Sequence, residues 1–240
     1  MDITLHHIPF DIESADQVVK DSDGAYLRGL ALLPEAMTGE VTRYHRSVDK
    51  VAALCARLLI MIIGEEGGVK NPMENLHRSE RGKPGFAHGP HFNLSHCAGH
   101  VVAVVGDSPL GVDIEASRPI EVEDFRRALR SEEYERLKVA SHPGHAFLEL
   151  WTRKEAVLKA LGCGLGLEPD KVVFSGDTAI ALGRVAFLRS LDTGEDVFCH
   201  VAAFEPIRVL RKARRSFDEV VTLLEAGSLW HDKDSKGRMA

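Results

Sequence analysis

The strongest structural signal in the sequence is an uninterrupted run of small apolar residues, Val101-Val-Ala-Val-Val105. A short apolar run bounded by turn residues is typical of a buried strand. Residues 91–96 before it, and residues 110–115 after the turn at 106–109, also favour strands. The sequence therefore predicts a β-meander over residues 91–115.

Two predicted helices flank this segment. Between Val41 and Ile63, apolar residues recur every three to four positions, as on the buried face of an amphipathic helix. Phe147 to Leu161 repeats that spacing more strongly, and the glycines at 162, 164 and 166 are typical of a helix end. Short strands are predicted within residues 171–205, and residues 216–225 favour a last amphipathic helix.

Each half of the chain thus runs from a helix to strands. This order predicts an α+β fold made of two similar α/β subdomains in a pseudo-two-fold arrangement. We expect the first subdomain to span residues 1–106 and the second to span residues 107–228, with a polar tail at 229–240.

The composition is that of an ordinary globular protein, with 44% hydrophobic and 28% charged residues. A formal net charge of -6 gives no basic footprint for nucleic acid, so a polyanion would need a local basic patch. The four cysteines are widely spaced and form no CxxC pair, which indicates reduced thiols. No segment predicts a secretion signal or a membrane span, so we expect a cytoplasmic protein.

Two acidic residues, Asp113 and Glu115, lie two positions apart in the last strand of the predicted meander. Residues so spaced share one face of a strand, and the apolar Leu110, Val112 and Ile114 occupy the other face. Paired carboxylates repel each other unless a cation compensates them, and Mg²⁺ prefers such oxygen ligands. An isolated pair of this kind is also common on exposed strands, so the pattern alone leaves both interpretations open.

A second pair, Glu155 and Lys159, lies about one helical turn apart in the helix that begins near Phe147. Such a pair is usually a surface ion pair that contributes only about 0.2–0.5 kcal/mol. Beside two carboxylates on a nearby strand, however, Glu155 becomes a candidate third metal ligand. Lys159 then becomes a cation that can reach a phosphate.

Candidate anion-binding residues precede these pairs. Ser95 and His96 can donate to phosphate oxygens, although His96 is equally well explained as a structural histidine. Arg81-Gly-Lys-Pro84 places basic side chains on a stiff turn, which is otherwise a surface loop. Four basic residues in the early part of the first long helix form either an anion-binding patch or a solvated face: Arg43, His45, Arg46 and Lys50.

Two other patterns carry less weight. The crowded histidines at 88, 91, 96 and 100, together with Cys97, match no spacing typical of zinc ligands. The glycines at 162, 164 and 166 follow a helix and do not link a strand to a helix, so helix termination explains them better than a dinucleotide site.

Four motifs in order resemble those of the 4'-phosphopantetheinyl transferase superfamily. They are Gly82-Lys-Pro84, Phe92-Asn-Leu-Ser-His96, Gly111-Val-Asp-Ile-Glu115 and Trp151-x-x-Lys-Glu155-x-x-x-Lys159. The length is similar to that of the two-subdomain, Sfp-type branch, which activates peptide and polyketide synthases. The resemblance is strong over residues 81–166 and rests on element order after residue 170.

The resemblance implies transfer of the 4'-phosphopantetheine group of coenzyme A to a serine of an apo acyl or peptidyl carrier protein. The other product would be adenosine 3',5'-bisphosphate. It also implies a Mg²⁺ requirement, with Mn²⁺ as the alternative ion, and a monomeric enzyme. The pathway, whether fatty acid, polyketide or nonribosomal peptide biosynthesis, is left open.

Carried over position by position, Asp113, Glu115 and Glu155 would bind the metal together with the coenzyme A pyrophosphate. Glu155 would also take the serine proton, and Lys159 would neutralise a phosphate or protonate the leaving group. The catalytic residues are therefore expected to be Asp113, Glu155 and Lys159. The residues expected to contact coenzyme A are Arg46, Lys50, Arg81, Lys83, Asn93, Ser95, His96, Asp113, Glu155 and Lys159.

The resemblance further implies an acidic carrier protein, which we expect to dock on basic residues between Ser117 and Ala140. The candidates are Arg118, Arg126, Arg127 and Arg130. Two alternatives use the same acids. A Mg²⁺-dependent phosphoester or pyrophosphate hydrolase would need a positioned water but no protein acceptor. A catalytically inactive coenzyme A-binding module would have little need of the paired carboxylates.

Overall fold

The structure, a computed structural model, describes residues 1–162 and 166–227. Its strands are β1 (Asp2–Pro9), β2 (Leu76–Arg78), β3 (Pro84–Phe86), β4 (His91–Cys97), β5 (His100–Gly106), β6 (Leu110–Ala116), β7 (Val173–Ser175), β8 (Thr178–Ala181), β9 (Arg184–Ser190), β10 (Val197–Ala203) and β11 (Val209–Arg214). Its α-helices are α1 (Ala15–Lys20), α2 (Ala25–Ala31), α3 (Glu35–Thr42), α4 (Ser47–Glu66), α5 (Ser131–Lys138), α6 (Pro143–Leu161) and α7 (Phe217–Glu225).

The first sheet has the strand order β11-β1-β5-β4. β5 is antiparallel to both of its neighbours, whereas β11 is parallel to β1. Helix α4 covers one face of this sheet, because its apolar stripe, including Leu54 and Leu58, packs with Phe92, Val101 and Ala103 in one buried cluster.

The second sheet has the order β6-β10-β9-β8-β7, and each pair of neighbours is antiparallel. Helix α6 covers this sheet in the way that α4 covers the first. Small side chains such as Ala156 and Ala160 of the helix pack with Ala186 and Ala202 of the strands. These small residues let the helix approach the sheet closely.

The two halves repeat one arrangement. In each, a first strand is followed by a long helix and then by a hairpin whose second strand returns beside the first: β1, α4, β4 and β5, then β6, α6, β9 and β10. The α+β class is confirmed, and this repeat supports the pseudo-two-fold arrangement. The boundary between residues 106 and 107 stays a prediction, since β11 and α7 pack with the first half.

The faces of the two sheets that carry no long helix pack against each other. Leu5 and Val104 of the first half lie in one buried cluster with Val112, Ile114 and Val201 of the second half. This contact brings β4 of the first half alongside β6 of the second. Side chains at that junction can therefore come from both halves of the chain.

Two sequence predictions about these elements are wrong. Residues 91–115 form no meander, because β6 pairs with β10 and belongs to the other sheet. The single helix expected from Val41 to Ile63 is two helices, α3 and α4, separated at residues 43–46. Arg46 has an extended backbone there (φ -85°, ψ 136°), which breaks the helical hydrogen-bond pattern.

Other predictions are confirmed. Gly162 has a left-handed backbone (φ 66°) and ends α6, which is the conformation that glycine adopts without strain. Helix α7 lies where residues 216–225 predict a helix. Cys55, Cys97 and Cys199 are free thiols. Cys163, Gly164 and the tail at 229–240 lie outside the described residues. Within the two described ranges, no helix is long and apolar enough to cross a membrane.

Candidate active site at the junction of the two halves

Gly111 sets the distance between β6 and α6. A methyl group at this position would collide with the carbonyl oxygen of Ala156 and the amide nitrogen of Ala160, so the helix backbone lies directly on the strand. Side chains alternate along a strand, so Asp113 and Glu115 share the face of Gly111. The glycine at the start of the Gly111–Glu115 motif thus brings the two carboxylates up to the helix.

Asp113 forms the centre of a hydrogen-bonded cluster built from three elements. Lys159 Nζ on α6 donates to Asp113 Oδ1 at 2.6 Å and to Ser95 Oγ on β4 at 2.9 Å. Ser95 Oγ also donates to Asp113 Oδ1, at 2.9 Å. The Asp113 side chain is buried, and its Oδ2 atom has no hydrogen-bond partner within the described residues. One carboxylate oxygen is therefore neutralised, while the other is left for a further ligand.

Glu155 lies close enough to this cluster to respond to its charges. Burial raises the pKa of Glu155, and the Asp113 and Glu115 carboxylates raise it further, while the Lys159 ammonium opposes them. A carboxylate whose pKa is raised in this way accepts a proton more readily at neutral pH. The three acids predicted to act together thus lie within electrostatic reach of one another.

The three carboxylates do not converge as ligands of one ion. Among the described residues, no group of three His, Cys, Asp or Glu side chains is arranged to hold a metal. Lys159 engages Asp113, and Arg118 Nη1 engages Glu115 Oε2 at 2.6 Å. The unpartnered Asp113 Oδ2 and the mutual repulsion of the acids nevertheless fit a hard divalent cation, which would offset both.

Lys83 joins the β2–β3 hairpin to both elements of the site. Its Nζ donates to the carbonyl oxygens of Leu110 at 3.0 Å and of Lys159 at 2.8 Å, which lies in the last turn of α6. Burial lowers the pKa of Lys83 to about 8. The predicted phosphate contact of this lysine stays a prediction, because its ammonium is already bonded to two carbonyls.

Asn93 and His96 occupy opposite faces of β4. Asn93 is buried and its Oδ1 accepts a hydrogen bond from the backbone N–H of Val112 at 2.9 Å, which fastens β4 to β6. His96 is exposed and lies on the face of Phe92, which packs toward α4. Neighbours in a strand point in opposite directions, so Ser95 and His96 cannot contact a ligand from the same side.

A cleft of about 540 Å³ opens beside the Asp113 cluster. Its lining includes five of the predicted site residues: Arg81, Lys83, Asn93, Glu155 and Lys159. This volume lies in the range of about 300–1,000 Å³ that is typical of small-molecule sites. Arg46 and Lys50, at the start of α4, are not among the residues that line it.

Lys154 is a residue of this site that sequence reasoning missed. Its side chain is fully buried, and Nζ donates to Glu133 Oε2 on α5 at 2.9 Å and to the Pro169 carbonyl at 2.9 Å. The ion pair fixes α6 against α5 and against the segment that lines the cleft. The only sequence signal was the position of Lys154 beside Glu155 in the Trp151–Lys159 motif.

Thr152 and His200 form a second buried contact that the sequence did not reveal. His200 is the sheet neighbour of Asp113, and its Nδ1 lies 2.9 Å from Thr152 Oγ1 on α6. The Thr152 hydroxyl lies 2.9 Å from the Leu148 carbonyl, to which it donates, so His200 Nδ1 is the donor to Thr152. Burial and the nearby Arg153 lower the pKa of His200 to about 4, which keeps the ring neutral.

The basic residues predicted to dock a partner differ in their surroundings. Arg118 is paired with Glu115, and Arg130 pairs with Glu132 at 2.6 Å. The Arg126 guanidinium lies 4.6 Å from the centre of the Tyr134 ring. Arg127 is exposed, so among these four it is the best placed to meet a partner.

The chain is similar in sequence to known 4'-phosphopantetheinyl transferases. A model described as the 4'-phosphopantetheinyl transferase superfamily matches residues 109–198. A 4'-phosphopantetheinyl transferase of Bacillus subtilis is 33% identical over 198 residues, which are 77% of this chain and 88% of that protein.

Two further relatives match over shorter stretches. A 4'-phosphopantetheinyl transferase of Bacillus pumilus is 38% identical over 51% of this chain and 55% of its own length. The 4'-phosphopantetheinyl transferase Sfp of Bacillus subtilis strain 168 is 37% identical over 53% of this chain and 59% of its own length. The matches to these two relatives thus span a little over half of their length.

Proposed function

The chain belongs to the 4'-phosphopantetheinyl transferase superfamily, and we propose that it transfers the 4'-phosphopantetheine group of coenzyme A to a serine hydroxyl of an apo carrier protein. The other product is adenosine 3',5'-bisphosphate. One observation carries the proposal most directly. Lys159, Asp113 and Ser95 form a compact charged cluster at the wall of a cleft that also contains Glu155.

Glu155 is the group that would take the proton of the attacking serine. Its raised pKa suits a general base at neutral pH, and it lines the cleft into which the hydroxyl must enter. Lys159, whose side chain is partly exposed and lines the cleft, would neutralise the charge that develops on the phosphate oxygens. Transfer of this kind depends on positioning the groups in line and stabilising charge.

Asp113, Glu115 and Glu155 are the residues that would hold Mg²⁺, or Mn²⁺ in its place. A bound divalent ion would polarise the pyrophosphate of coenzyme A and neutralise its charge. Arg118 Nη1 lies 2.6 Å from Glu115 Oε2, so a metal bound through that oxygen would displace Arg118. The Asp113 Oδ2 atom, which has no hydrogen-bond partner within the described residues, can bind without breaking an existing contact.

Coenzyme A would lie in the 540 Å³ cleft, with Arg81, Lys83 and Asn93 along one wall. Ser95 would contact the phosphates from the cluster, while His96, Arg46 and Lys50 would reach them only from the α4 side of β4. An acidic chain can bind this anionic substrate because the positive charge is local. We propose a cytoplasmic monomer with no nucleic-acid partner.

The carrier protein would dock on the segment that follows β6, where Arg127 is exposed. Arg127→Glu is expected to raise the KM for the carrier and leave the KM for coenzyme A unchanged. Arg208→Glu, an exposed change beside β11, is the matched control. An unchanged carrier KM in Arg127→Glu would remove this docking surface from the proposal.

The transfer itself is tested by incubating the protein with coenzyme A, Mg²⁺ and an apo carrier protein and weighing the carrier by mass spectrometry. The proposal expects a gain of one phosphopantetheine group, abolished by Glu155→Gln and Asp113→Ala. Glu149→Gln, an exposed change on the same helix, should keep full activity. Breakdown of coenzyme A with no gain of mass on several carriers would instead indicate a hydrolase. Tight binding of coenzyme A without either reaction would indicate an inactive binding module.

A further inference from the structure

We propose that a small oxyanion of the size of inorganic phosphate binds in a second cavity, between β11 and the loop that joins β9 to β10. The cavity has a volume of about 150 Å³. Its lining consists of Leu5, His7, Asp192, Thr193, Gly194, Lys212, Ala213 and Arg214. None of these residues lines the cleft at Asp113, so the two sites are separate.

The cavity lies where the two sheets meet at one edge. In the parallel pairing of β1 with β11, Leu5 lies opposite Lys212 and His7 lies opposite Arg214, so all four share one face of the first sheet. Residues 192–194 come from the second half and close the cavity from the other side. A ligand bound here would therefore contact both halves of the protein.

The charge of the cavity favours an anion. Lys212 Nζ lies 3.2 Å from Asp192 Oδ2, so one cation is already balanced. Arg214 forms no ion pair within residues 1–162 and 166–227, although its charge reaches His7 and His100. The two cations, Lys212 and Arg214, and the one carboxylate, Asp192, give the cavity lining a net charge of +1. A guanidinium is well suited to bind a phosphate oxygen pair.

The Thr193 hydroxyl is an unused donor in this cavity. Thr193 is only 3% exposed, and its Oγ1 atom has no hydrogen-bond partner in the part of the chain that the structure describes. A buried polar group without a partner destabilises the folded protein. An oxyanion in the cavity would accept from this hydroxyl and remove that penalty.

His7 adds a polar group to the cavity lining and contacts His100, which is not part of that lining. Their rings are stacked, and His7 Nε2 lies 3.0 Å from His100 Nδ1. One of these two nitrogens must donate to the bond and the other must accept, so the two atoms cannot both carry a hydrogen. Burial and the charges of His100 and Arg214 lower the pKa of His7 to about 4, so the positive charge available to a ligand comes from Arg214 and Lys212.

The volume limits the ligand to a small one. At roughly 30 Å³ per water molecule, 150 Å³ corresponds to about five waters. This is enough for an ion of one phosphorus and four oxygens, but it is below the range of about 300–1,000 Å³ found for drug-sized ligands. A nucleotide or coenzyme A does not fit.

The basic residues of β11 have a simpler explanation, but it does not explain the whole cavity. β11 is an edge strand, and lysine and arginine on an edge strand prevent pairing with other chains. That role accounts for Arg211, which lies on the other face of β11 and pairs with Asp2 at 3.4 Å. It does not account for Thr193, a residue of the cavity lining whose buried hydroxyl has no hydrogen-bond partner within the described residues.

The test is a calorimetric titration of the full chain with inorganic phosphate at constant ionic strength. Arg214→Gln and Thr193→Val should each weaken binding by about tenfold or more, because each removes one direct contact. Arg211→Gln, the same change on the opposite face of the strand, should bind phosphate like the unmodified chain. Transferase activity should be unchanged in all three variants, so the outcome is independent of the proposed function.

Thermal unfolding supplies a second readout if Arg214→Gln folds poorly. Phosphate should raise the melting temperature of the unmodified chain, and Thr193→Val should lose most of that rise. Without phosphate, Thr193→Val should melt at the same or a higher temperature, since it removes an unpartnered hydroxyl. Phosphate held elsewhere would bind equally to all four proteins, and that result would overturn the proposal.

Discussion

Lys159 Nζ lies 2.6 Å from Asp113 Oδ1, so a lysine of α6 neutralises a carboxylate of β6 whose side chain is only 8% exposed. The same ammonium bonds Ser95 of the first half. Helix, strand and both halves of the chain are therefore joined at one charged group.

Lys159→Met should reduce phosphopantetheine transfer by about 100-fold or more, because the cleft loses its cation and Asp113 loses its counter-charge. Single-turnover transfer at saturating coenzyme A measures the effect. Lys159→Arg keeps the charge and should retain part of the activity. Lys171→Met removes a surface lysine and should have no effect. A Lys159→Met rate equal to that of Lys171→Met would contradict the prediction.

Glu155→Gln should separate activity from stability. Transfer should fall by about 10²–10⁴-fold, since the proposed base is lost. The pKa of Glu155 is raised, so the folded state binds the proton of this carboxyl more tightly than the unfolded state does. As the pH rises above the ordinary pKa of a glutamate, the ionised Glu155 therefore destabilises the folded state. At pH 7, the free energy of unfolding should therefore stay equal or increase. Urea unfolding, with the exposed Glu149→Gln as control, decides the sign.

Gly111→Ala should destabilise the protein strongly, by about 3 kcal/mol or more, because the new methyl group meets backbone atoms of α6 that cannot move independently. Gly39→Ala in α3 is the matched control. No atom lies within 4 Å of the added methyl group there, and alanine favours a helix over glycine by about 1 kcal/mol. Chemical unfolding of both variants should give changes of opposite sign.

Lys83 should make stability depend on pH in the alkaline range. Burial lowers its pKa from 10.5 in the unfolded chain to about 8 in the folded one, so between these values the unfolded state binds more protons. The free energy of unfolding relative to a Lys83→Met variant should then rise from pH 8 to pH 10.5.

Lys171 supplies the control for that titration. The hydrogen bond and charge of Asp170 raise the pKa of Lys171, so its contribution should instead be lost as pH rises through its folded-state pKa. Comparison with Lys171→Met should give a slope of opposite sign. Equal slopes for both lysines would show that Lys83 is not buried against the two carbonyls.

Lys154→Met should cost roughly 3–5 kcal/mol of stability, since it leaves the buried Glu133 carboxylate without its counter-charge. A double change of Lys154→Met with Glu133→Leu should cost less than the single change, because no buried charge remains. The exposed pair of Lys138 and Glu135, 3.6 Å apart, should contribute at most about 1 kcal/mol. Urea unfolding of both pairs tests the difference.

Local sequence patterns predicted which residues lie side by side within one strand or one helix. Residues two apart in a strand and four apart in a helix share a face by geometry alone, so Asp113 could be paired with Glu115, and Glu155 with Lys159, without a structure. The resemblance to the transferase superfamily joined the two pairs into one predicted site. The α+β class and the end of α6 at Gly162 followed from the same kind of local rule, and both are confirmed.

Contacts between distant segments could not be predicted in this way. Apolar residues in β6 indicate a buried strand, but nothing in them specifies β10, more than 80 positions later, as the partner in place of β5. Strand β11 was missed because its basic residues follow no apolar alternation, and its place is set by parallel pairing with β1.

The sequence by itself therefore determined which residues of one strand or helix share a face, because spacing along that element fixes this. It predicted Asp113, Glu115, Glu155 and Lys159 as site residues, but it did not reveal Lys154. Only the tertiary structure decided which partner each side chain contacts. Lys83 bonds to two backbone carbonyls, Asn93 accepts from the Val112 amide, and Lys154 pairs with the buried Glu133. The physical reason is that a polar side chain takes the nearest unpaired partner once it is buried, and that partner is brought near by packing between segments far apart in the chain.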